Sequence, residues 1–227
     1  MLNNAKLPVL AIECSSPFLS LALQTEDQLY TFKQEGQRRH SQFILPSIEK
    51  LLQQANLTIK DIKRIAVGNG PGSFIGVRLA HAVAQGLCLP TNISLATLSS
   101  LQIIAQSLYL EQTSNIILVA QDARKQEVYA CAYQENDGVM RPIMAEQLLS
   151  PKQLQQLYEH LSKQGELALT GTGWQAYQED LYIKHDIWPL ANCELAKGAI
   201  ALSLANINLD NQEPNYVRDH VADLPKS

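Results

Sequence analysis

The chain has 227 residues, of which 46% are hydrophobic, and its formal net charge is −4. This length and apolar content are sufficient for a buried core in one large domain or two smaller ones. No apolar run approaches the ~18 residues of a membrane-spanning helix, and the amino terminus lacks a signal-peptide pattern, so we expect a cytoplasmic globular protein.

The distribution of basic residues argues against direct binding of nucleic acid. Proteins that bind nucleic acid by themselves normally gather Lys and Arg on one face, where they displace counterions from the phosphates. Here the basic pairs Arg38-Arg39 and Lys63-Arg64 are short and isolated. If the protein serves an RNA pathway, we expect another molecule to hold the RNA.

Cysteines and histidines are scattered along the chain. The four cysteines include no Cys-x-x-Cys pair, and the five histidines form neither an i, i+4 pair nor a zinc-finger spacing. This pattern favours buried free thiols over disulfides or metal ligands. It also predicts that the chain has no autonomous metal site.

The hydrophobic pattern of the first half predicts an α/β layer. Three short β-prone segments open the chain as an antiparallel meander, and a βαβα rhythm follows a first helix. The predicted strands are residues 8–14, 20–24, 29–33, 65–68 and 93–96, and the predicted helices are residues 41–55, 74–89 and 99–110.

The second half restarts the strand pattern and predicts a second subdomain. No low-complexity linker divides the two halves. Two predicted strands, residues 116–120 and 128–133, lie on either side of a polar connection at residues 121–127. A helix at residues 152–161, a strand at residues 167–170 and a helix at residues 194–205 follow, before an extended tail.

The segment GNGPGSFIGVRL, which begins at Gly68, is the most distinctive in the chain. It lacks the spacing and the lysine of a Walker A loop, and Ser73 and Ile75 stand where a dinucleotide fingerprint requires its third glycine. The preferred interpretation is a tight turn from a strand into a helix capped by Ser73. Anion binding by free amides at the start of the helix stays open as an alternative.

The helix predicted at residues 74–89 is apolar on almost every side, with one polar stripe formed by Arg78, His81 and Gln85. Small side chains form a face that suits close packing against another helix. That face consists of Val77, Ala80, Ala84 and Cys88.

The helix predicted at residues 41–55 has one apolar arc that is wide enough for core packing. The arc consists of Ile44, Leu45, Ile48, Leu51, Leu52 and Ala55. Phe43 points elsewhere, in the direction of Ser47. It is either a lone surface aromatic or the mark of a second contact face.

Five segments in order resemble the TsaB (YeaZ) family, over nearly the whole chain from Leu10 to Ala222. They are AIECSSPFLSLAL, HSQFILPSIEKLLQQA, IAVGNGPGSFIGVRLAHAVAQGL, VAQDARKQEVYACAY and PNYVRDHVA. The resemblance implies an α/β fold of the actin-like ATPase (ribonuclease H-like) type, with two lobes that each contain a mixed β-sheet flanked by helices. It implies a first lobe of residues 1–108 and 194–227, which carries the partner-binding helices, and a second lobe of residues 109–193.

The resemblance also implies a function. The chain would be a non-catalytic activating subunit that dimerises with TsaD in the formation of N6-threonylcarbamoyladenosine at position 37 of tRNAs that read codons beginning with A. TsaD would hold ATP and the metal, TsaE would join through the TsaB–TsaD complex, and this chain alone would bind no cofactor and contact tRNA only indirectly. A homodimer of the isolated chain and a nucleotide at the joint surface stay open. The expected partner-binding residues are His40, Phe43, Ser47, Val77, Ala80, His81, Ala84 and Cys88.

Departures from related motifs support a non-catalytic role. The two metal-ligand positions of TsaD correspond here to Ser100 and Ile104, and neither side chain is a good ligand for a transition metal. The corner after the first strand begins with Glu13 and Cys14, where relatives usually have Asp and Thr. Ile75 replaces a common Thr in the loop that follows.

The main alternative is an independent ATPase or small-molecule kinase of the same fold. Its phosphate contacts would come from Glu13, from the turn at residues 70–73 and from residues 171–173. The candidate residues of this nucleotide or interface loop are Glu13, Ser15, Ser16, Gly70, Gly72 and Ser73. The old family label of glycoprotease is a poorer interpretation, because sequence alone places no histidine beside these serines.

Asp122, Arg124 and Glu127 match a family segment, Asp-Ala-Arg-x-x-x-Val-Tyr. We prefer to interpret them as an ion-paired hairpin turn rather than as catalytic residues. In that role they would help to orient the two lobes.

Overall fold

The computed structural model describes residues 7–36 and 39–207, which form two mixed β-sheets with helices on their faces. The elements of the first part are β1 (Val9–Glu13), β2 (Phe18–Gln24), β3 (Leu29–Glu35), α1 (His40–Gln54), β4 (Arg64–Gly68), α2 (Phe74–Cys88), β5 (Ser94–Leu98) and α3 (Ser100–Glu111). Those of the second part are β6 (Ile116–Arg124), β7 (Glu127–Asn136), β8 (Val139–Pro142), β9 (Gln147–Leu149), α4 (Pro151–Leu161), β10 (Leu167–Thr170), α5 (Gly173–Ala176), β11 (Ile187–Trp188) and α6 (Leu195–Leu204).

The first sheet has the strand order β3-β2-β1-β4-β5. Strands β1, β2 and β3 form an antiparallel meander, and β4 and β5 continue the sheet parallel to β1. Parallel neighbours require a crossover connection, which α1 and α2 provide. The predicted meander and the βαβα rhythm are therefore confirmed.

The second sheet has the order β11-β10-β6-β7-β8, and β9 also pairs with β7. Its centre is the antiparallel hairpin of β6 and β7, while β10 and β11 run parallel to β6. The sheet is therefore mixed, like the first.

Both faces of each sheet are covered, so successive strand residues enter different cores. In β1, Val9 and Ala11 belong to one core, whereas Leu10 and Ile12 belong to another. Helices α1 and α2 cover the outer face of the first sheet, α3 and α6 lie between the sheets, and α4 and α5 cover the outer face of the second. Burial on both faces explains the continuous apolar runs of these strands. The predicted α/β fold with two helix-flanked mixed sheets is confirmed.

The proposed limits of the two lobes stay predictions. Residue 108 falls inside α3, and one core joins α3 and α6 to both sheets. Residues 208–227, which include the PNYVRDHVA segment and the predicted tail, lie outside the described residues, as does Arg38.

The polar connection predicted at residues 121–127 is wrong. β6 continues to Arg124 and β7 begins at Glu127, so that only Lys125 and Gln126 form the turn. Arg124, Lys125 and Gln126 have φ values of 60°, 54° and 60°. Tight hairpin turns use this left-handed conformation, even though their polar residues resemble a longer loop in the sequence. The short elements β8, β9, α5 and β11 are not among the elements predicted from the sequence.

Within the described residues, no helix is both long enough and apolar enough to cross a membrane.

Candidate functional site

The glycine turn between β4 and α2 is packed tightly against the end of β1. Ser73 caps α2, because its Oγ accepts a hydrogen bond from Gly76 N at 3.2 Å, and its own N–H donates to Ser15 O at 2.7 Å. A side chain at Gly76 would place its Cβ 1.9 Å from the carbonyl oxygen of Cys14. Gly70 has a φ of 83°, which favours glycine. The predicted tight strand-to-helix turn is confirmed.

Glu13 lies fully buried beneath this turn. Its Oε1 accepts a hydrogen bond from Ser15 N at 2.5 Å, and its Oε2 accepts one from Ser100 Oγ at 3.0 Å. The carboxylate fills the space beside Gly68, where a Cβ would lie 1.7 Å from Oε2. Ser100 Oγ also accepts from Gly70 N at 3.0 Å. Glu13 therefore holds β1, the glycine turn and the start of α3 together.

This geometry corrects the role that the sequence suggested for Glu13. Both of its carboxylate oxygens are engaged inside the protein, and neither Glu13 nor Gly70 lines the neighbouring cleft. Burial raises the pKa of Glu13, while hydrogen bonds from Ser15 and Ser100 act in the opposite direction. In the sequence, Ser100 stands out only as a position without a metal ligand, and no pattern there indicates its pairing with Glu13. Ile104 is fully buried in the core between the sheets.

Replacing Glu13 with alanine is expected to lower the free energy of unfolding by roughly 3 kcal/mol, because Ser15 N and Ser100 Oγ lose their acceptor and a cavity forms. Glu13→Gln keeps the size and one acceptor oxygen, so it should cost less.

Because the folded pKa of Glu13 is raised, the carboxyl contributes stability at low pH that is lost as the pH rises through the folded pKa. The stability of Glu13→Gln relative to wild type should therefore improve as the pH rises. Urea denaturation at several pH values measures both effects, and an alanine variant as stable as wild type would contradict this role.

A cleft of ≈ 930 Å³ lies between the glycine turn and the β6–β7 hairpin. Four of the six residues predicted for a nucleotide or interface loop line it, namely Ser15, Ser16, Gly72 and Ser73. From the second half of the chain, the lining includes Gln121, Asp122, Arg124, Lys125 and Thr172. The structure therefore brings the glycine turn together with the family segment around Asp122.

Hydrogen bonds hold the hairpin side of this cleft. Asp122 Oδ1 accepts from Arg124 N at 2.7 Å and from Tyr177 Oη at 2.9 Å. Thr172 Oγ1 accepts from Asp122 N at 3.0 Å and donates to Gln121 Oε1 at 2.6 Å. Desolvation and the contact with Asp122 raise the pKa of the Tyr177 hydroxyl. Asp122 therefore lies at a hairpin, as predicted, but the acceptor contacts of its carboxylate are with a backbone N–H and a tyrosine hydroxyl. Ion pairing among Asp122, Arg124 and Glu127 stays a prediction, and no pattern in the sequence pointed to Tyr177 and Thr172 as partners.

His40 lines the same cleft as Ser15, Ser16 and Ser73, although it is only 3% exposed. Its Nε2 lies 3.3 Å from Pro17 O. A carbonyl oxygen can only accept, so this nitrogen carries the hydrogen and donates it. No hydrogen bond joins His40 to these three serines in the part of the chain that the structure describes. The structure therefore supplies the histidine that a peptidase would need, but not a histidine–serine pair.

The small-residue face of α2 is buried inside this protein, which corrects its assignment to a partner. Val77 is 3% exposed, and Ala80 and Ala84 are fully buried against the first sheet. Cys88 is half-buried and packs on the same core. Small side chains allow close approach of any neighbour, and the helical pattern does not distinguish the chain's own sheet from a partner helix.

The outer face of α2 is exposed instead. Ile75, Arg78, Ala82, Gln85 and Leu89 follow one another at spacings of three and four residues, which places them on one side of the helix. Ile75 and Leu89 are 75% and 85% exposed. Beside them, Phe74 is 44% exposed. The guanidinium carbon of Arg78 lies 3.3 Å from the centroid of the Phe74 ring.

The exposure of residues on α1 also differs from the prediction. Leu45, which was expected in the core, is 54% exposed, whereas Phe43 is half-buried and packs on the core. Ser47 is only 6% exposed. Most of the predicted partner-binding residues are therefore buried, namely His40, Ser47, Val77, Ala80, His81 and Ala84. The exposed candidates are Leu45 and the outer face of α2.

His81 lies on the buried side of α2, and neither of its ring nitrogens has a hydrogen-bond partner among the described residues. Burial lowers the pKa of His81 below its usual value. The unfolded chain therefore binds a proton more readily than the folded protein does. The contribution of neutral His81 to the free energy of unfolding is fully present above the unfolded pKa, which is about 6.5. It is lost as the pH falls through the folded pKa.

Replacing His81 with leucine is therefore expected to reduce the loss of unfolding free energy between about pH 7 and about pH 5. Urea denaturation across this range measures the change in slope. The same substitution at exposed His160 is the matched control. A His81→Leu profile parallel to that of wild type would contradict the prediction.

The state of the four thiols agrees with the scattered pattern of cysteines in the sequence. Cys14, Cys131 and Cys193 are buried, Cys88 is half-buried, and all four are free. Among the described residues, no cluster of three or more His, Cys, Asp or Glu could hold a metal ion. The expectation of free thiols is confirmed.

Comparison with known proteins identifies the family. The model described as "TsaD: tRNA N6-adenosine threonylcarbamoyltransferase" matches residues 32–222. The Escherichia coli (strain K12) tRNA threonylcarbamoyladenosine biosynthesis protein TsaB is 31% identical, over 94% of this chain and 96% of its own length. The Haemophilus influenzae protein of the same name is 34% identical, over 94% of this chain and 88% of its own length.

Solved structures agree with these sequence matches. YeaZ from Pseudomonas aeruginosa has a TM-score of 0.78 and 30% identity, over 92% of this chain and 99% of its own. A crystal structure described as an uncharacterized protein with similarity to peptidase YeaZ from Pseudomonas aeruginosa has a TM-score of 0.79 and 29% identity, over 93% of this chain and 99% of its own. The chain therefore belongs to the TsaB (YeaZ) family of tRNA threonylcarbamoyladenosine biosynthesis proteins.

Proposed function

We propose that this chain is a non-catalytic subunit that dimerises with TsaD and activates it. The reaction served by the two proteins together would be the formation of N6-threonylcarbamoyladenosine at position 37 of tRNAs that read codons beginning with A. In this proposal the docking surface is the outer face of α2 together with Leu45 on α1.

The observation that carries the docking proposal is the exposure of large apolar side chains on neighbouring helices. Ile75, Leu89 and Leu45 are 75%, 85% and 54% exposed. Isolated exposed apolar residues are ordinary, but several on adjacent helix surfaces indicate a contact site. The outer face of α2 also carries little charge, since Arg78 is the only charged residue of α2.

Three residues support a non-catalytic role. The Glu13 carboxylate accepts hydrogen bonds from within the protein, and the Ser100 hydroxyl is bonded to Glu13 and to the glycine turn. Ile104 has no donor atom and is buried in the core. We therefore assign ATP and the metal to TsaD and no cofactor to this chain alone. TsaE would join through the TsaB–TsaD complex in the cytoplasm, and tRNA would be held by the complex rather than by this chain.

Light scattering tests the proposal directly. A mixture of the purified chain with TsaD, with and without ATP, should have the mass of a heterodimer. In a separate assay, the chain alone should show no steady ATP hydrolysis. The mass of the chain alone at the same concentration shows whether it forms a homodimer. Absence of a complex would contradict the docking proposal. ATP turnover by the pure chain that is lost in Lys125→Gln, a variant of the cleft, would favour the independent enzyme.

A further inference from the structure

Glu146 joins the second sheet to the start of α3. It directly precedes β9, and its Oε1 accepts hydrogen bonds from Ser99 Oγ and, at 3.4 Å, from Tyr133 Oη on β7. Ser99 directly follows β5 of the first sheet and caps α3, because its Oγ accepts from Gln102 N at 3.1 Å. Burial raises the pKa of Tyr133 well above its usual value, so the Tyr133 hydroxyl keeps its hydrogen. Because a serine hydroxyl has a single hydrogen, its donation to Glu146 fixes the direction from which Ser99 Oγ accepts.

Ser100, the next residue, makes the corresponding contacts with the first sheet. Its Oγ donates to Glu13 Oε2 at 3.0 Å and accepts from Gly70 N at 3.0 Å, while its own N–H donates to Gly70 O at 2.9 Å. The glycine turn that contains Gly70 leads directly to Ser73, the cap of α2. Ser99 and Ser100 share one planar peptide unit, so a displacement of Ser99 also displaces the contacts of Ser100 with the glycine turn.

Burial makes the loss of the shared acceptor costly. Ser99 and Tyr133 are 6% and 1% exposed, and Ser100 and Glu13 are fully buried. A buried donor that is left without an acceptor destabilises the structure by its full desolvation free energy. Glu146 is only half-buried, so it is the member of this network that solvent reaches.

We propose that Glu146 is a positioning residue for the docking surface: it fixes the start of α3 through Ser99 and, through Ser100 and the glycine turn, the first turn of α2. The consequence for docking rests on the proposed function, because exposed Ile75 lies in that first turn. A rearrangement of the second sheet that moves Glu146 therefore changes the surface that α2 offers to TsaD.

Amide hydrogen exchange of the isolated chain tests this coupling. Glu146→Ala should raise the exchange rate of the Val77 amide, which donates to Ser73 O at 2.9 Å in the first turn of α2, by about tenfold. The Leu154 amide is the matched reference, because it donates to Ser150 O at 2.9 Å in the first turn of α4, another serine-capped helix. Leu154 is closer to Glu146 along the chain, so a local loosening would affect it first. An unchanged rate at Val77, or an equal rise at both amides, would overturn the proposal.

Further variants separate positioning from a general loss of stability. Glu135→Ala is the matched control, because Glu135 is also half-buried in the second sheet and its Oε1 accepts from Gly138 N at 2.7 Å. It should change the rate at Val77 by less than about twofold. Glu146→Gln keeps an acceptor oxygen for Ser99 and should return this rate to within about threefold of wild type. An equal rise in Glu135→Ala, or a glutamine variant that exchanges like the alanine variant, would count against the proposal.

Glu146→Asp keeps the charge but withdraws the carboxylate from Ser99 by one methylene group. It takes the place of Glu146→Ala if the alanine variant does not fold, and it should raise the exchange rate at Val77 more than at Leu154 in the same way. Equal rates in Glu146→Asp and wild type would then refute the coupling.

Titration against TsaD connects the coupling with docking. Glu146→Ala should bind TsaD about fivefold more weakly than wild type, whereas Glu135→Ala should bind equally well. If the wild-type chain does not bind TsaD, the proposed function fails, while the exchange comparison still decides the coupling. If wild type and Glu146→Ala bind TsaD with the same affinity, the positioning role in docking is overturned.

Discussion

Replacing Ala84 with arginine is expected to unfold the protein or to lower its free energy of unfolding by about 4 kcal/mol or more, since a buried unpaired charge is among the most costly single changes. Ala84 is fully buried between α2 and the first sheet, in the same core as Ala80. Because Ala84 has no exposed surface, a long side chain there must displace its neighbours. Thermal and chemical denaturation measure the loss.

Ala82 provides the matched control, because it lies on the same helix but is exposed. Ala82→Arg should change the free energy of unfolding by only about 0.5 kcal/mol. If Ala84→Arg melts like Ala82→Arg, the packing of α2 on the first sheet is wrong. The small-residue face would then be available to a partner, as the sequence first suggested.

Replacing Ile75 with arginine is expected to weaken binding to TsaD by roughly 2 kcal/mol or more, the scale of an interface hot spot. Ile75 is 75% exposed at the start of α2, so the folded chain loses little when it is replaced. A complex that covers this face must instead desolvate the new charge. Titration of the variant against TsaD measures the affinity, and a melting curve close to that of wild type shows that the fold is intact.

Tyr182→Arg is the control for this second experiment. Tyr182 is 84% exposed, and its N–H donates to Gln155 on α4, which packs on the second sheet rather than the first. The variant should therefore leave the affinity for TsaD unchanged. A homodimer through the same face would compete with TsaD, so the mass of the chain alone must be measured at the same concentration. Full-strength binding by a normally folded Ile75→Arg variant would refute the assignment of this surface.

The wrong predictions for α1 and α2 have a common cause. Leu45 belongs to the apolar arc of α1 but is exposed, whereas Phe43 lies outside the arc and packs on the core. A helical pattern gives the angular positions of side chains, but it does not give the rotation of the helix against its sheet. The same uncertainty led to the assignment of Ala80 and Ala84 to a partner. It disappears only when the neighbouring sheet is known.

The sequence by itself determined the order and type of the main elements, the tight turn at Ser73, the free thiols and the family. These features depend on local patterns, because apolar periodicity, glycine spacing and capping residues act over a few neighbouring positions. Only the tertiary structure decided that Glu13 is bound by Ser100, that His40 and Gln121 face one cleft, and that Ile75 rather than Ala84 is exposed. Each of these features depends on how residues of different elements are placed relative to one another. That placement follows from the packing of helices on sheets, which no local pattern in a single sequence specifies.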